Sequence, residues 1–336
     1  MSRRLPGGLV YVVDDVPGIR RRRAGRGFAY YLPDGAKLRD KLEVARINSL
    51  AIPPAYQRVW ISPMANGHLQ ATGFDDRKRK QYRYHPDWQA LRARAKFSQI
   101  AEFGQALPEI RAAVASALRH RELDRERVVA TLVRMLDQTA CRIGNLSYRD
   151  ENGTYGLSTL ECEHVDAHGS TVDLSYRGKG GSEIEASLRS GTVAKIVRKL
   201  QELPGQHLFK FRNGRGDWHP VESHDVNEWL QEVSGKEFTA KNFRTWHASR
   251  LALEVFSETE APTSTADAVL KRNEGIKEVA SRLHHRPATC RKYYVHPEVV
   301  ERFEAGRLRA VESGGAPPVR GLAASEEVLL KLVRKG

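Results

Sequence analysis

The stretch SRLHHRPATCRKYYVHP, Ser281–Pro297, combines basic residues, histidines and a tyrosine pair. Pro287 suits the first position of a helix, and Pro297 would end that helix after about two turns. Tyr293 and Tyr294 stand side by side in this segment. A short helix could hold one tyrosine hydroxyl beside cations, as attack on a phosphate requires. Taken alone, the stretch favours the simpler interpretation, a basic surface helix with buried aromatics.

Net charge is the most informative bulk property of the chain. The 336 residues are enough for two or three domains, and 55 Lys and Arg against 41 Asp and Glu give a net charge of +14. Such a basic chain usually binds a polyanion. Nucleic acid is favoured over membrane, because no apolar run approaches a membrane-spanning length and no secretory signal opens the chain. Three widely spaced cysteines, Cys141, Cys162 and Cys290, indicate a reducing cytoplasm.

Residues 1–92 are predicted to form a small β-rich amino-terminal domain. Short runs of β-branched and aromatic residues alternate with turn-forming residues; the runs are Leu9–Val13, Phe28–Tyr31, Arg58–Ile61 and His68–Thr72. The basic run Arg20–Arg23 is interpreted as a solvated loop that could contact phosphate.

The segment FDDRKRKQYRYH, Phe74–His85, interleaves basic residues with tyrosines. Basic side chains neutralise phosphates, while tyrosines pack on sugars or base edges. In a strand, Tyr82 and Tyr84 would point to one face. A DNA-contacting strand and an ordinary amphipathic edge strand with a solvated basic turn fit this segment about equally well.

Residues 93–312 are predicted to form a larger, mainly α-helical domain, so the fold class is α+β. Helical periodicity begins after Trp88, with Ile110, Val114 and Leu118 spaced four residues apart behind Pro108, and Asp124 is a candidate cap for the next helix. A three-stranded β meander is expected to interrupt the helices, with strands at Gly156–Glu161, Thr171–Tyr176 and Glu183–Leu188. Residues 313–336 are predicted as a Gly- and Pro-rich linker and a short terminal helix.

Several common catalytic arrangements are missing from the sequence. Cys162, His164 and His168 lie close together, but no second ligand pair follows, so no metal is predicted. There is no phosphate-binding P-loop, no Gly-x-Ser-x-Gly elbow and no cluster of carboxylates for two metal ions. The chemistry that remains is cationic, because guanidinium groups bind the oxygens of a phosphoryl transition state in bidentate fashion.

Four motifs occur in a fixed order: RIGN at Arg142–Asn145, RGKG at Arg177–Gly180, AKNFRTW at Ala240–Trp246 and RPATCRKYYVHP at Arg286–Pro297. Together they resemble the type IB DNA topoisomerases of the bacterial and poxvirus kind. Two segments, AIPPAYQRVWISP at Ala51–Pro63 and HLQATGFDDRKRKQYRYH at His68–His85, resemble the amino-terminal domain of that family.

The resemblance implies a role for each matching residue. Tyr294 matches the nucleophile, which forms a 3′-phosphotyrosyl bond. Arg142 and Arg244 match the arginines that hold the scissile phosphate. Lys179 matches the lysine that protonates the departing 5′-oxygen, and His285 matches a histidine that donates to a non-bridging oxygen.

The same resemblance implies supporting residues. Lys241 matches a supporting cation of the active site. Gln81, Tyr82 and Tyr84 match residues of the amino-terminal domain that contact the duplex near the cleavage site. Lys80 and Arg83, basic residues of the same segment, are also predicted to bind DNA.

Two departures from the family pattern affect the nucleophile and the histidine. Tyr293 makes the nucleophile ambiguous by inspection, and the nine-residue spacing from His285 selects Tyr294. His284 and Arg286 stand where relatives often have Gly and Thr.

The expected function is relaxation of supercoiled duplex DNA by transient cleavage of one strand, swivelling and religation, without ATP, metal or other cofactor. The expected protein is a monomer bound to the nucleoid in the bacterial cytoplasm. One alternative is a tyrosine recombinase, which shares this chemistry; the β-rich amino-terminal domain and Lys241, where recombinases generally have histidine, argue against it. Another is a non-catalytic DNA-binding protein.

Overall fold

The computed structural model describes residues 4–214, 216–308 and 319–334, without the side chains of 93–96, 98 and 148. The chain divides into two compact units, Met1–Lys96 and Phe97–Gly336. The predicted linker at residues 313–318 lies outside the described residues.

The first unit is built on an antiparallel five-stranded sheet of order β2-β1-β3-β4-β5. Its strands are β1 (Ile19–Ala24), β2 (Gly27–Tyr31), β3 (Gln57–Ile61), β4 (Leu69–Phe74) and β5 (Lys80–Tyr84). A helix, α1 (Lys41–Ser49), follows β2 and is capped by the side chain of Asp40. The small core consists of one face of the sheet and one residue of the helix; its members are Ile19, Tyr30, Ile47, Val59, Ile61 and Ala71.

Two expectations for this unit were wrong. The basic run Arg20–Arg23 is part of β1 and not a loop, because its main chain pairs with that of β2. Arg21 of this run donates to the carbonyls of Ile52 (3.0 Å) and Pro53 (3.0 Å). These contacts satisfy a half-buried guanidinium without a carboxylate. The segment Leu9–Val13 is not a strand. Its main chain forms two isolated bridges, from Val10 to Arg4 and from Val10 to Gly67.

The second unit is mainly helical. Its helices are α2 (Pro86–Ala117), which includes the boundary between the units, α3 (Arg125–Thr139), α4 (Leu146–Asn152), α5 (Gly191–Gln201), α6 (Ser223–Ser234), α7 (Ala240–Glu258), α8 (Thr265–Arg282), α9 (Pro287–Tyr293), α10 (Pro297–Glu304) and α11 (Ala324–Val333). Helix α2 continues through Pro108; Phe103, Leu107 and Ile110 on both sides of the proline are buried in one core. None of the described helices is both long and apolar enough to span a bilayer.

The predicted β meander is present, but its first strand lies elsewhere. The strands are β6 (Val165–His168), β7 (Thr171–Arg177) and β8 (Glu183–Arg189), in that order in the sheet. Gly156–Glu161 is not a strand, because Leu157 and Ser158 donate to the carbonyls of Arg142 (2.8 Å) and Ile143 (2.6 Å). A two-stranded ribbon, β9 (Lys210–Arg212) and β10 (Trp218–Pro220), completes the unit. The fold class is α+β, as predicted.

The last helix, α11, belongs to the core of the second unit. Leu329, Leu330 and Leu332 are buried in that core. Glu326 is also buried and accepts from Arg111 of α2 (2.8 and 2.9 Å) and from the indole of Trp246 in α7 (3.0 Å). Arg111 also pairs with Asp137 of α3 (2.8 Å). This network, the Arg111–Glu326 network below, therefore joins four helices.

Candidate active site

The loop that carries Arg142 is fixed by close backbone packing. Helix α3 ends at Thr139, and Ala140 adopts a left-handed conformation with φ of +54°. Gly144 has φ of +98°, a region that favours glycine. Gly156 lies against Gly144 so closely that a Cβ added at Gly156 would come within 2.5 Å of the Gly144 nitrogen. The positive φ of Gly144 and its close contact with Gly156 explain why the RIGN motif has glycine at its third position.

Arg244 lies in the first turns of α7 and is only 6% exposed. Its Nη1 donates to the carbonyl of Ala140, and its Nη2 donates to the carbonyl of Leu283 at 3.3 Å. Nη2 also contacts His285 Nε2. None of the ion pairs found among the described residues brings a carboxylate to Arg142 or Arg244.

Arg244 therefore carries a buried charge that only neutral groups solvate. Burial, together with the nearby charge of Arg142, lowers the pKa of Arg244 to about 10. Its Nε has no hydrogen-bond partner among the described residues. A buried cation without a counter-ion is costly to fold, and an anionic ligand would supply the missing charge and acceptor.

His285 follows the turn that ends α8. Its N–H donates to the carbonyl of Ala280 at 2.7 Å, and His284 just before it has φ of +50°. Burial, with the charges of Arg244 and Arg142, lowers the pKa of His285 to about 3. The imidazole is thus neutral near pH 7 and accepts from Arg244 through Nε2. Its Nδ1 has no partner among the described residues.

Tyr294 comes directly after α9, whose first residue is Pro287, as the sequence predicts. The Tyr294 ring stacks on His285, with ring centroids 4.4 Å apart and planes 26° apart. The guanidinium carbon of Arg244 lies 5.6 Å from the centre of the Tyr294 ring. The nine-residue spacing in the sequence is therefore a direct contact in the structure.

The main chain around Tyr294 is attached to α7. Ser249 Oγ accepts from the N–H of His296 (2.9 Å), and its hydroxyl proton is shared between the carbonyls of Thr245 (2.8 Å) and Tyr294 (3.2 Å). Tyr293, in contrast, is 48% exposed and lies beside Lys292, whose Nζ is 5.3 Å from its ring centre. The structure thus distinguishes the two tyrosines: Tyr294 contacts the cationic site, and Tyr293 faces away from the core.

A cavity of about 210 Å³ opens next to Arg244, whereas Tyr294 and His285 are not among the residues that line it. Arg142, Arg244 and Lys179 all line it. Lys179 lies in the turn between β7 and β8, where Gly178 donates to the carbonyl of Ser182 at 2.7 Å. A Cβ added at Gly178 would lie 2.6 Å from the side chain of Ile184, so the hairpin packs tightly below the exposed lysine. Three cations that lie far apart in sequence thus face one cavity.

Lys241 is not among the residues that line this cavity. It lies in the first turn of α7, one turn before Arg244, and its side chain is exposed. Its supporting role stays a prediction.

The predicted DNA-binding residues of the first unit divide between the two faces of β5. Tyr82 and Tyr84 share one face and stack in parallel, with ring centroids 6.0 Å apart. Lys80 lies on that face as well and pairs with Asp14 at 2.7 Å. Gln81 and Arg83 alternate onto the other side, where Gln81 donates to Asp75 and Arg83 donates to the carbonyl of Ala51.

One group of potential metal ligands lies away from the cavity. Ligand atoms of Glu161, Glu163 and His164 are within 4.8 Å of one another. His164 Nδ1 already accepts the N–H of Glu161 at 3.0 Å, and Tyr155 packs against the ring. The Cys162–His164–His168 set considered from the sequence is not the group that comes together.

Comparison with known proteins identifies the family of the chain. Residues 85–313 match the family described as eukaryotic DNA topoisomerase I, catalytic core, and residues 27–75 match the bacterial DNA topoisomerase IB amino-terminal domain. The DNA topoisomerase 1B of Acanthamoeba polyphaga mimivirus is 30% identical over 309 residues, which cover 90% of this chain and 92% of that protein. The chain belongs to the type IB DNA topoisomerase family.

Fungal relatives match about half of the chain. DNA topoisomerase 1 of Mycosarcoma maydis is 28% identical over 185 residues, half of this chain and 18% of that protein. The corresponding protein of Schizosaccharomyces pombe is 26% identical over 57% of this chain and 22% of its own length. As a member of this family, the chain is an isomerase that acts on DNA.

Sequence reasoning missed several residues of the topoisomerase cavity. Tyr176 is buried at its edge, and burial next to Cys141 raises the pKa of its hydroxyl. Arg282, His284 and Glu185 also line the cavity. The only signals available in sequence were the position of Tyr176 just before RGKG and the unusual His284 ahead of His285.

Proposed function

We propose that this topoisomerase relaxes supercoiled duplex DNA by cutting one strand through Tyr294, letting the free end swivel, and resealing the strand without ATP or metal. The observation that carries the proposal is the position of Arg244. It is a buried guanidinium without a carboxylate, and it contacts both the Tyr294 ring and His285. An anionic group in the adjoining cavity would satisfy its charge.

The cleavage step is a transesterification. The Tyr294 oxygen attacks the scissile phosphorus and forms a 3′-phosphotyrosyl bond, while the bond from phosphorus to the 5′-oxygen breaks. The tyrosine proton leaves to solvent, and Lys179 donates a proton to the departing oxygen. One phosphodiester replaces another, so the reverse step reseals the strand without an external energy source.

Two arginines stabilise the transition state in this scheme. Arg142 and Arg244 line the same cavity and would bind the non-bridging oxygens, on which negative charge accumulates. His285, released from Arg244 by the phosphate, would donate to a non-bridging oxygen.

The outer face of β5 would contact the duplex. Tyr82 and Tyr84 offer stacked rings to sugars and bases, and basic residues would hold the backbone through contacts that weaken with salt. Lys80 would exchange Asp14 for a phosphate. Gln81 and Arg83 would contribute from the edge of the strand, and Lys241 would support the scissile phosphate. Each unit would thereby contribute its own contacts to the DNA.

The protein would act as a monomer, prefer supercoiled DNA and work on the nucleoid in the cytoplasm. Three free cysteines fit a reducing compartment.

The test is relaxation of a supercoiled plasmid in EDTA without ATP. Wild type should relax it, Tyr294→Phe should not, and the matched control Tyr293→Phe should keep most of the activity. Mapping the DNA-linked peptide after SDS trapping should place the covalent bond on Tyr294. No relaxation by wild type, or a bond on Tyr293, would overturn the proposal.

A further inference from the structure

The cavity is lined by more positive charge than the proposed scissile-phosphate site uses. Besides Arg142, Lys179 and Arg244, the cavity is lined by Arg282 and His284, and one carboxylate, Glu185, faces it. At about 210 Å³, the cavity has room for roughly seven waters at about 30 Å³ each. One wall of the cavity thus carries polar groups to which the cleavage scheme gives no role.

Arg282 is the last residue of α8, and its side chain could exchange a carboxylate partner for a phosphate. It pairs with Glu278 one turn earlier, and both side chains are about half exposed. A solvent-exposed pair of this kind at i,i+4 spacing contributes little to stability. A phosphate oxygen could replace the Glu278 carboxylate at small cost, because a bidentate arginine–phosphate contact is the stronger of the two.

His284 occupies a backbone position that suits glycine. The bond from the His285 N–H to the Ala280 carbonyl closes a helix C-terminal turn in which the residue before His285 is left-handed. His284 has φ of +50° there, which costs free energy for any residue with a Cβ. Strain of this kind points to a function for the side chain, and His284 is one of the residues that line the cavity.

We propose that Arg282 and His284 form a second phosphate subsite, which binds the backbone phosphate adjoining the scissile one. The inference rests on the proposed function of the cavity. Arg282 supplies the charge, and the His284 imidazole supplies a hydrogen-bond donor next to it. Binding there would position the strand so that the scissile phosphorus lies in line with the Tyr294 hydroxyl.

His284→Gly separates this role from a structural one. Glycine relieves the left-handed strain, so the melting temperature should rise. Relaxation of plasmid should nevertheless slow by about tenfold, as expected for loss of one phosphate contact. A variant that is more stable and as fast as wild type would overturn the role of His284.

Arg282→Gln is tested by the salt dependence of DNA binding in the Tyr294→Phe background, where no cleavage occurs. Each phosphate contact contributes about 0.9 to the slope of log affinity against log salt, so the slope should fall by about that amount. The matched control is Arg302→Gln, which removes a similar i,i+4 pair with Glu298 away from the cavity. Equal slopes for the two variants would refute the subsite.

The adduct and the salt slope distinguish a failure of Tyr294 cleavage from a failure of the Arg282–His284 subsite. If wild type forms no SDS-resistant adduct but Arg282→Gln alone lowers the slope, Tyr294 cleavage is refuted and the subsite stands. If the adduct forms on Tyr294 and the slopes are equal, cleavage stands and the subsite is refuted.

Discussion

Arg244 Nη2 contacts His285 Nε2, so the imidazole that would bind the phosphate is held by a guanidinium in the DNA-free protein. The neutral ring acts as the acceptor in this contact, because its pKa is lowered to about 3. A bound phosphate would draw the Arg244 N–H groups away and leave Nε2 to carry a proton.

We therefore expect the pKa of His285 to rise when duplex DNA binds. The negative phosphate offsets the field of Arg244 and Arg142, and a hydrogen bond to phosphate favours the protonated ring. The measurement is an NMR titration of histidine-labelled Tyr294→Phe protein with and without DNA. His285→Gln identifies the resonance. Titration near pH 6.5 in the free protein, or no rise with DNA, would contradict the expectation.

The same shift predicts the acid stability of the free protein. The unfolded state binds a proton at His285 near the ordinary pKa of 6.5, while the folded state stays neutral down to about 3. The stability contributed by the neutral ring is present above pH 6.5 and is lost as the pH falls toward 3. Wild type should lose more stability than His285→Gln over this interval, measured by urea unfolding.

Arg244→Met should abolish relaxation and yet stabilise the protein by about 1 kcal/mol, because it removes a buried charge without a counter-ion. Thermal unfolding and plasmid relaxation measure the two effects. The matched control is Arg198→Met, since Arg198 also donates to two carbonyls, of Ala167 and Gly169, both at 3.3 Å. That control should lose stability and keep activity. Destabilisation of both variants to the same extent would count against an uncompensated charge at Arg244.

Glu326→Gln should destabilise the protein by about 3 kcal/mol, because it leaves the charge of Arg111 partly uncompensated inside the Arg111–Glu326 network. Hydrogen bonds from Arg111, the Ala323 N–H and Trp246 outweigh burial and lower the pKa of Glu326 to about 2. This stability is present above about pH 4.5 and lost as the pH falls toward 2. Chemical unfolding at pH 7 and pH 3 should show a smaller difference between variant and wild type at pH 3. Glu301→Gln, an exposed change in α10, is the control and should be neutral.

Gly156→Ala should displace the Arg142 loop, since the new methyl group would meet the backbone of Gly144 at 2.5 Å. Relaxation should fall by at least about tenfold, as expected when a transition-state donor moves by an ångström. Gly191→Ala, at the start of α5 with no neighbour nearer than 3.8 Å, should leave the rate unchanged. If Gly156→Ala relaxes plasmid like Gly191→Ala, the close approach does not position Arg142.

Local signals in the sequence predicted the elements around the nucleophile. Pro287 begins α9 and Asp124 caps α3 as expected, whereas α9 already ends at Tyr293 and Pro297 begins α10. These features depend on the residue's own backbone preferences, so the sequence suffices to find them.

The predictions of secondary structure were wrong where contacts between residues far apart in sequence override local backbone preference. The arginines of β1 were predicted to form a loop. In the structure Arg21 donates to carbonyls 31 and 32 residues away, contacts that the local sequence does not indicate. Gly156–Glu161 has strand-like composition, but its N–H groups bond to the Arg142 loop. The Arg111–Glu326 network joins residues more than 200 positions apart, and no sequence pattern records that distance.

Ser249 has a mechanical consequence. Its hydroxyl bonds to the carbonyl of Tyr294 and the N–H of His296, and it lies on the helix that also carries Arg244. Under the proposed cleavage, torque from the rotating duplex reaches the protein through the phosphotyrosyl bond. Ser249 would pass this load into α7 as a whole, so that nucleophile and phosphate-binding arginine are displaced together and keep the alignment that resealing needs.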